Sequence, residues 1–304
     1  MLRWRLALGF VIILVLAGLC WLDHLAPPGL CLFPLLVLGL WMATGEVLDL
    51  AQAGGIRPIR WTVHVSNLLV VSAAWGSSLY FSLLERAPKM AGDFSPNYPA
   101  STSNWILLAL AASVLLIFLA EMRRFERPGG VTVNVAAAVF AVVYLGVLLT
   151  FLIQLRMSWG IAGLLSVIIV TKMGDIGAYT VGRLFGRNKM APGLSPGKTV
   201  EGAVGAVVFS VGASAVTFLF LIPAMNAESG AANTTQWWGW MLFGAAVCLS
   251  GIVGDLAESL IKRDVDQKDS SSWIPGFGGV LDILDSLLLA SPVAYAFWAF
   301  GFVG

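Results

Sequence analysis

Acidic residues are concentrated near the end of the sequence, where seven of the seventeen Asp and Glu residues lie within 255–285. Asp282 and Asp285 are three residues apart at the head of an apolar segment, so a helix would present both carboxylates on one face. Two such charges repel each other unless a cation or protons lie between them. Asp255 and Glu258 form a similar pair before the loop. With no Cys or His beside them, these acids favour a hard, oxygen-preferring ion such as Mg²⁺.

Simpler explanations exist for the same acidic residues. Lys262, Arg263 and Lys268 are close in sequence and would neutralise part of the cluster through ordinary ion pairs. Asp264 and Asp266 have the pattern of a solvated loop. The position of Asp282 and Asp285 at the edge of an apolar span nevertheless favours a functional site, because acids are costly there.

A second polar segment, residues 182–202, combines glycine and proline with cationic and hydroxyl side chains. Gly197 allows a close backbone approach to a phosphate, Lys198 supplies a point charge and Thr199 a hydroxyl. An apolar segment begins just after Thr199, so its first amide groups favour an anion. The glycine spacing is not that of a phosphate loop. The alternative is a basic loop that anchors helices to lipid headgroups.

A third polar feature is Asp175, close to the end of an apolar segment, with Lys172 three residues before it. A helix-surface ion pair explains both residues, although charged side chains in a span also carry a functional expectation. Three polar segments at one membrane face, one basic and two acidic, suit metal-assisted phosphoryl or nucleotidyl transfer between a soluble nucleotide and a membrane lipid.

The overall composition is that of a membrane protein. Hydrophobic residues make up 58% of the 304 residues and charged residues 12%, about half the charged share of soluble domains, roughly 25%. This excludes a soluble enzyme, a disordered chain and, with a net charge of +1, a nucleic-acid binder. The three cysteines lie in apolar runs without metal-ligand or disulfide spacing.

The apolar segments predict an all-α, polytopic integral membrane protein with about nine transmembrane helices, the first of them uncleaved. With a cytoplasmic N-terminus, fourteen of the eighteen Lys and Arg residues fall in cytoplasmic segments and three outside, with Lys172 inside a span. This asymmetry predicts that orientation, with the polar segments cytoplasmic, in the cell membrane. The predicted spans are roughly 6–22, 29–45, 65–84, 104–121, 133–153, 159–181, 203–223, 237–257 and 281–303.

Three motifs of the sequence, in the correct order, resemble those of the phosphatidate cytidylyltransferases, the CDP-diacylglycerol synthases. The stretch 175–186 resembles D-x-G-A-Y-x-x-G-R-x-x-G, and 195–202 resembles S-P-x-K-T-x-E-G. The C-terminal motif matches at Ser259, Lys262, Arg263, Lys268, Asp269, Pro275, Gly276, Gly278, Gly279, Asp282 and Asp285. The resemblance implies a catalytic membrane region at 159–304 and a variable set of membrane helices at 1–158.

The resemblance implies transfer of a cytidylyl group from CTP to phosphatidic acid in phospholipid biosynthesis, with release of pyrophosphate and a need for Mg²⁺ or another divalent cation. Besides these substrates and the bilayer, it leaves a homodimer open as a possible assembly. It implies three sets of site residues: catalytic Lys268, Asp269, Asp282 and Asp285; metal-binding Asp255, Asp269, Asp282 and Asp285; and substrate-binding Asp175, Ser195, Lys198, Thr199, Glu201, Lys262 and Arg263.

The sequence departs from the family pattern at two positions. Phe277 stands where the family usually has His, and Ile283 where it usually has Arg; no role of those residues carries over. Two alternatives stay open: another CTP-dependent membrane-lipid enzyme, such as a lipid-alcohol kinase or an archaeal-type CDP-lipid synthase, and an ion-coupled transporter. Polar motifs at one membrane face, not at the midplane, disfavour the transporter.

The predicted topology can be tested with single cysteines in a background that lacks the three native ones. An impermeant thiol reagent applied to intact cells should label Gly230→Cys, which lies in a predicted outside loop, and should spare Gly193→Cys and Ser271→Cys. Labelling of Gly193→Cys from outside would contradict the orientation.

Overall fold

The computed structural model describes residues 2–86, 102–126, 128–225, 237–271, 273 and 278–303. This part of the chain forms eight helices and one two-stranded sheet, and is therefore mostly helical, as the sequence predicts. The helices are α1 Leu2–Leu25, α2 Leu32–Ala53, α3 Arg60–Arg86, α4 Thr102–Arg124, α5 Val131–Phe185, α6 Val200–Met225, α7 Trp237–Asp264 and α8 Leu281–Ala299. Strands β1, Lys189–Ala191, and β2, Ser195–Thr199, form an antiparallel hairpin between α5 and α6.

Six of these helices, α2 and α4 to α8, are long and apolar enough to cross a membrane, so the prediction of a polytopic membrane protein is confirmed. The nine predicted spans are not all matched. The apolar part of α1, Gly9–Leu25, is shorter, and α3 carries several polar residues in its first turns. The fifth and sixth predicted spans share α5, which has 55 residues and non-helical backbone at Trp159 and Gly160.

The chain divides into two compact units, Met1–Met157 and Ser158–Gly304. Both have a helical core, and the motifs with family resemblance all lie in the second unit. The sequence-based division after residue 158 assigned catalysis to that part of the chain, and this assignment stays a prediction.

A buried ion pair holds the first unit together over a long stretch of sequence. Arg156 Nε donates to Asp23 Oδ2 at 2.7 Å, and another N–H of the guanidinium donates to the Asp23 carbonyl at 2.9 Å. The Asp23 carboxylate also accepts the backbone N–H groups of Gly29 and Cys31 at 3.1 and 2.8 Å. Asp23 is completely buried, and the backbone N–H of Leu32 also donates to its carboxylate at 3.3 Å, so protein donors take the place of water around this charge.

In the second unit, glycines allow the helices to approach closely. A Cβ atom at Gly254 of α7 would lie 2.4 Å from the carbonyl oxygen of Asp285 in α8. A Cβ atom at Gly244, also in α7, would lie 2.8 Å from the backbone of Val211 in α6. Because contacts below 3.0 Å are too short for real side chains, only glycine permits this packing of α7 against both neighbours.

Loss of one partner of the Asp23–Arg156 pair should destabilise the first unit strongly. Asp23→Asn leaves the buried Arg156 charge uncompensated, which costs about 3–5 kcal/mol. The matched control is Asp49→Asn, which removes the exposed Arg60–Asp49 pair and should cost less than ~1 kcal/mol. Thermal unfolding in detergent should show a drop in Tm for Asp23→Asn that is clearly larger than for Asp49→Asn. Equal melting temperatures would show that the buried pair does not stabilise the fold.

Candidate active site

The hairpin and the start of α6 present Lys198 from a rigid frame. Thr199 is the N-cap of α6, and its Oγ1 accepts the N–H of Gly202 at 3.1 Å. The Glu201 carboxylate accepts the backbone N–H of Arg187 at 3.1 Å and the side-chain amide of Asn188 at 2.8 Å. Thr199 and Glu201, both predicted to bind substrate, are therefore engaged in fixing the hairpin to the helix.

Lys198 pairs with an acid of α7. Its Nζ lies 2.6 Å from Asp255 Oδ2. The Nζ atom is buried, and within the described chain it has no hydrogen bond of good geometry. An ammonium group has three N–H donors, so the pair with one carboxylate oxygen leaves donors for an anion bound beside Asp255. Ser195, at the start of β2, is half-buried, and among the described residues its hydroxyl group makes no hydrogen bond that adds to this site.

Three carboxylates from two helices converge next to this pair. One oxygen each of Asp255, Glu258 and Asp285 lies within 4.8 Å of the others. Glu258 is 1% and Asp285 7% exposed. The close packing of α7 and α8 at Gly254 brings the three acids together. The sequence had singled out Asp255 and Asp285, and had noted Glu258 only as the partner of Asp255 in an i, i+3 pair.

This acidic cluster fits a divalent cation. Glu258 Oε1 is buried and has no hydrogen-bond partner among the described residues, as expected of an oxygen that serves as a metal ligand. Carboxylate oxygens are the ligands that Mg²⁺ and Ca²⁺ prefer. The wider site has five acids and three lysines, a formal charge of −2 that one divalent ion would cancel. These residues are Asp175, Asp255, Glu258, Asp282 and Asp285 with Lys172, Lys198 and Lys262.

Asp282 lies outside the cluster of three and closes the preceding loop. Its Oδ2 accepts the hydroxyl of Ser270 at 2.8 Å and the N–H of Gly279 at 2.7 Å, and its Oδ1 accepts Lys262 Nζ at 2.5 Å. Lys262 also donates to Glu258 Oε2 at 2.8 Å. The structure thus separates Asp282 from Asp285: the first is saturated by protein donors, and the second faces Asp255 and Glu258.

Lys172 and Asp175 form the ion pair that their spacing suggested, with Nζ 3.1 Å from Asp175 Oδ2. The same ammonium donates to the carbonyl oxygen of Ile283 and to the hydroxyl of Ser286, both at 3.2 Å. Lys172 therefore links α5 to the first turns of α8, next to Asp285. Sequence spacing could not predict that this lysine lies near the acids of α8, because more than 100 residues separate them.

The remaining predicted residues lie at the edge of this arrangement. Lys268 and Asp269 are exposed in the loop after α7, and no described contact brings them to the acidic cluster. Arg263 is also exposed, and its Nε donates to the Leu194 carbonyl at 3.2 Å, which ties the end of α7 to the hairpin turn. Pro275, Gly276 and Phe277 lie outside the described residues.

A cavity of about 280 Å³ opens beside the Lys198–Asp255 pair. Lys198, Asp255, Asp175 and Thr199 form its polar part. Small residues from α5, α6 and α7 also line it, beside larger side chains such as Tyr179 and Met190: Gly174, Ala178, Gly202, Ala203, Ala206 and Gly251. Such a cavity offers the Lys198 ammonium group, carboxylate oxygens and apolar surface from glycine and alanine residues. Together these groups suit a substrate with both phosphate and apolar parts.

The chain is similar to known proteins along almost its whole length. A family model described as the cytidylyltransferase family matches residues 3–300. The phosphatidate cytidylyltransferase of Haemophilus influenzae is 32% identical over 300 residues, which cover 97% of this chain and 89% of the relative. That of Staphylococcus haemolyticus is 28% identical over 267 residues, 87% of this chain and 92% of the relative. An uncharacterized protein of Escherichia coli is 39% identical over 133 residues, 44% of this chain and 41% of the relative.

Two of the motifs that carry the resemblance in the sequence, 175–186 and 195–202, contribute residues to the cavity. The third, 259–286, contributes Asp285 to the cluster of acids that includes Asp255. The family match extends beyond these motifs into the first unit. A match from residue 3 to residue 300 takes in both compact units. The chain as a whole therefore belongs to the cytidylyltransferase family.

Proposed function

We propose that this protein transfers the cytidylyl group of CTP to phosphatidate, giving CDP-diacylglycerol and pyrophosphate. The observation that carries the proposal is the position of Asp255, which lines the cavity, pairs there with Lys198 and has a carboxylate oxygen within 4.8 Å of those of Glu258 and Asp285. The near full-length relatives with the name phosphatidate cytidylyltransferase support the choice of substrates.

In the proposed reaction, an oxygen of the phosphatidate phosphate attacks the α-phosphorus of CTP, and the bond to the β-phosphate oxygen breaks as pyrophosphate leaves. The attacking phosphate is already ionised, so the site needs no strong general base. Catalysis then consists of positioning and of charge neutralisation. Lys198, with its free N–H donors in the cavity, neutralises charge on the triphosphate.

Asp255, Glu258 and Asp285 would hold the divalent cation. Bound there, the cation would neutralise phosphate charge and orient the reacting groups. Lys262 holds the Glu258 carboxylate from the side away from its unpartnered oxygen, and Lys172 holds the first turns of α8 beside Asp285. These two lysines are thus assigned to positioning the acids, and Asp282 to closing the loop next to them. The direct role of Lys262 or Arg263 at the lipid phosphate, implied by the resemblance, has no contact in its favour.

The reaction class can be tested with labelled CTP and purified protein. Cytidylyl transfer places the label of [α-³²P]CTP in the lipid product and releases the label of [γ-³²P]CTP as pyrophosphate. A CTP-dependent lipid kinase would do the opposite, with the γ-label in the lipid. We expect α-label in lipid only when phosphatidate is present. Label from the γ-position in the lipid would overturn the proposal in favour of the kinase.

The first site prediction concerns Lys198. In Lys198→Arg the planar guanidinium would turn its paired N–H donors toward Asp255, whereas the compact ammonium leaves donors for the triphosphate. We expect at least a tenfold loss in kcat/KM for CTP, about 1.4 kcal/mol of transition-state stabilisation. The control is Lys189→Arg, an exposed lysine in the same hairpin, which should cost little. Steady-state kinetics at saturating phosphatidate give kcat/KM for CTP in both variants. Equally small losses in the two would contradict the triphosphate role of Lys198 and favour a hairpin that anchors helices to lipid headgroups.

The second site prediction separates the acids. Asp285→Asn and Glu258→Gln each remove one charged ligand and should raise the Mg²⁺ concentration for half-maximal activity at least tenfold, with weaker Mn²⁺ binding by electron paramagnetic resonance. Asp282→Asn should reduce turnover through the loop while Mn²⁺ binding changes much less. Asp264→Asn, at an exposed position, is the control. Unchanged Mn²⁺ binding in Asp285→Asn would remove this residue from the metal site.

A further inference from the structure

The first unit contains a recess of about 450 Å³ where α3 begins and α4 ends. Ile59, Trp61, Ala120, Arg123 and Arg124 line it. All five belong to the unit Met1–Met157, whereas every residue of the candidate active site belongs to the other unit. The proposed reaction therefore gives this recess no role.

The recess carries more positive charge than the described residues around it compensate. Arg123 is exposed and, within the described chain, has no ion-pair or hydrogen-bond partner. Arg124 donates to the Arg57 carbonyl at 2.7 Å and forms an ion pair with the Glu121 carboxylate at 3.8 Å. By contrast, the nearby Arg60 is neutralised by Asp49 at 2.6 Å. The Arg123 guanidinium thus remains open to an anion, with the Arg124 guanidinium beside it at the same recess.

The surfaces that lead away from the recess are apolar and exposed. On α3, Trp61 at the recess is 56% exposed, and exposed apolar residues follow it at helical spacing. On α4, a second exposed apolar stripe ends directly before the arginines. The two stripes consist of Val65, Leu68 and Leu69 on α3 and of Leu115, Phe118, Leu119 and Met122 on α4. A small soluble anion would not contact these stripes, whereas the acyl chains of a lipid would pack against them.

We propose that the recess binds the phosphate headgroup of an anionic membrane phospholipid, with its acyl chains along the two apolar stripes. Guanidinium groups pair with phosphate oxygens through two parallel hydrogen bonds. Trp61 has the amphipathic ring that proteins place at the level of lipid headgroups. Basic side chains at the membrane surface each add about 1 kcal/mol of attraction to anionic lipid, so the charge and the apolar surface together select this ligand class.

Native mass spectrometry of the full-length protein in detergent, titrated with phosphatidylglycerol, tests the proposal. Wild-type protein should retain a bound lipid that phosphatidylcholine does not replace. Arg123→Gln removes a charge without loss of any described internal contact and should weaken binding roughly fivefold, and the Arg123→Gln/Arg124→Gln variant about 25-fold. The control is Arg60→Gln. Arg60 lies at the start of α3, next to Trp61 of the recess, and is already paired with Asp49 in the wild type, so this variant should bind the lipid like wild type.

Three outcomes would overturn the proposal. Equal lipid retention in wild type and the double variant would show that the arginines do not hold it. An equal loss in Arg60→Gln would reduce the effect to general surface charge. Displacement of phosphatidylglycerol by glycerol phosphate at similar concentration would show a site for soluble phosphate in place of a lipid site. Because Arg123→Gln leaves the Arg124 contacts intact, it provides the answer even where the double variant unfolds.

Discussion

The close contact of α7 and α8 at Gly254 is the constraint on which the rest of the site depends. With any side chain at that position, the backbone of Asp285 could not approach α7, and Asp285 would not meet Asp255 and Glu258. The contact places three carboxylates in mutual repulsion at a largely buried position, where such repulsion is strong. Three lysines offset part of this repulsion. Lys198 pairs with Asp255, Lys262 pairs with Glu258, and Lys172 donates hydrogen bonds to groups at the start of α8.

The compensation is incomplete in a way that suits the proposed chemistry. Lys262 divides its charge between Glu258 and Asp282, and Lys172 also serves Asp175. The acids therefore keep an excess of negative charge and one unpartnered oxygen, at Glu258. A buried excess of this kind is costly unless an ion relieves it. The same excess would hold a cation firmly at the point where phosphates must be brought together.

The sequence predicted much of this site because its signals are local. Spacing of three residues placed acids on helix faces, and the segment 195–202 indicated a cationic loop before a helix. It did not distinguish Asp282 from Asp285, because the difference lies in what surrounds each one: Ser270 and Gly279 donors for the first, and two other carboxylates for the second. The sequence also could not predict contacts between residues that are far apart in the chain, such as the Asp23–Arg156 pair.

The motif around Lys198 has some residues that hold the hairpin to α6 and a lysine that faces the cavity. Thr199 and Glu201 hold the hairpin to α6, so their hydrogen-bonding capacity is used within the protein. Lys198 keeps donors in the cavity because its ion pair with Asp255 does not saturate the ammonium group. A cation on a rigid hairpin is already placed before a nucleotide arrives, so little ordering is required on binding. Glycine and alanine residues also line the cavity, so under the proposed function it has room for the apolar part of a lipid beside the phosphates of a nucleotide.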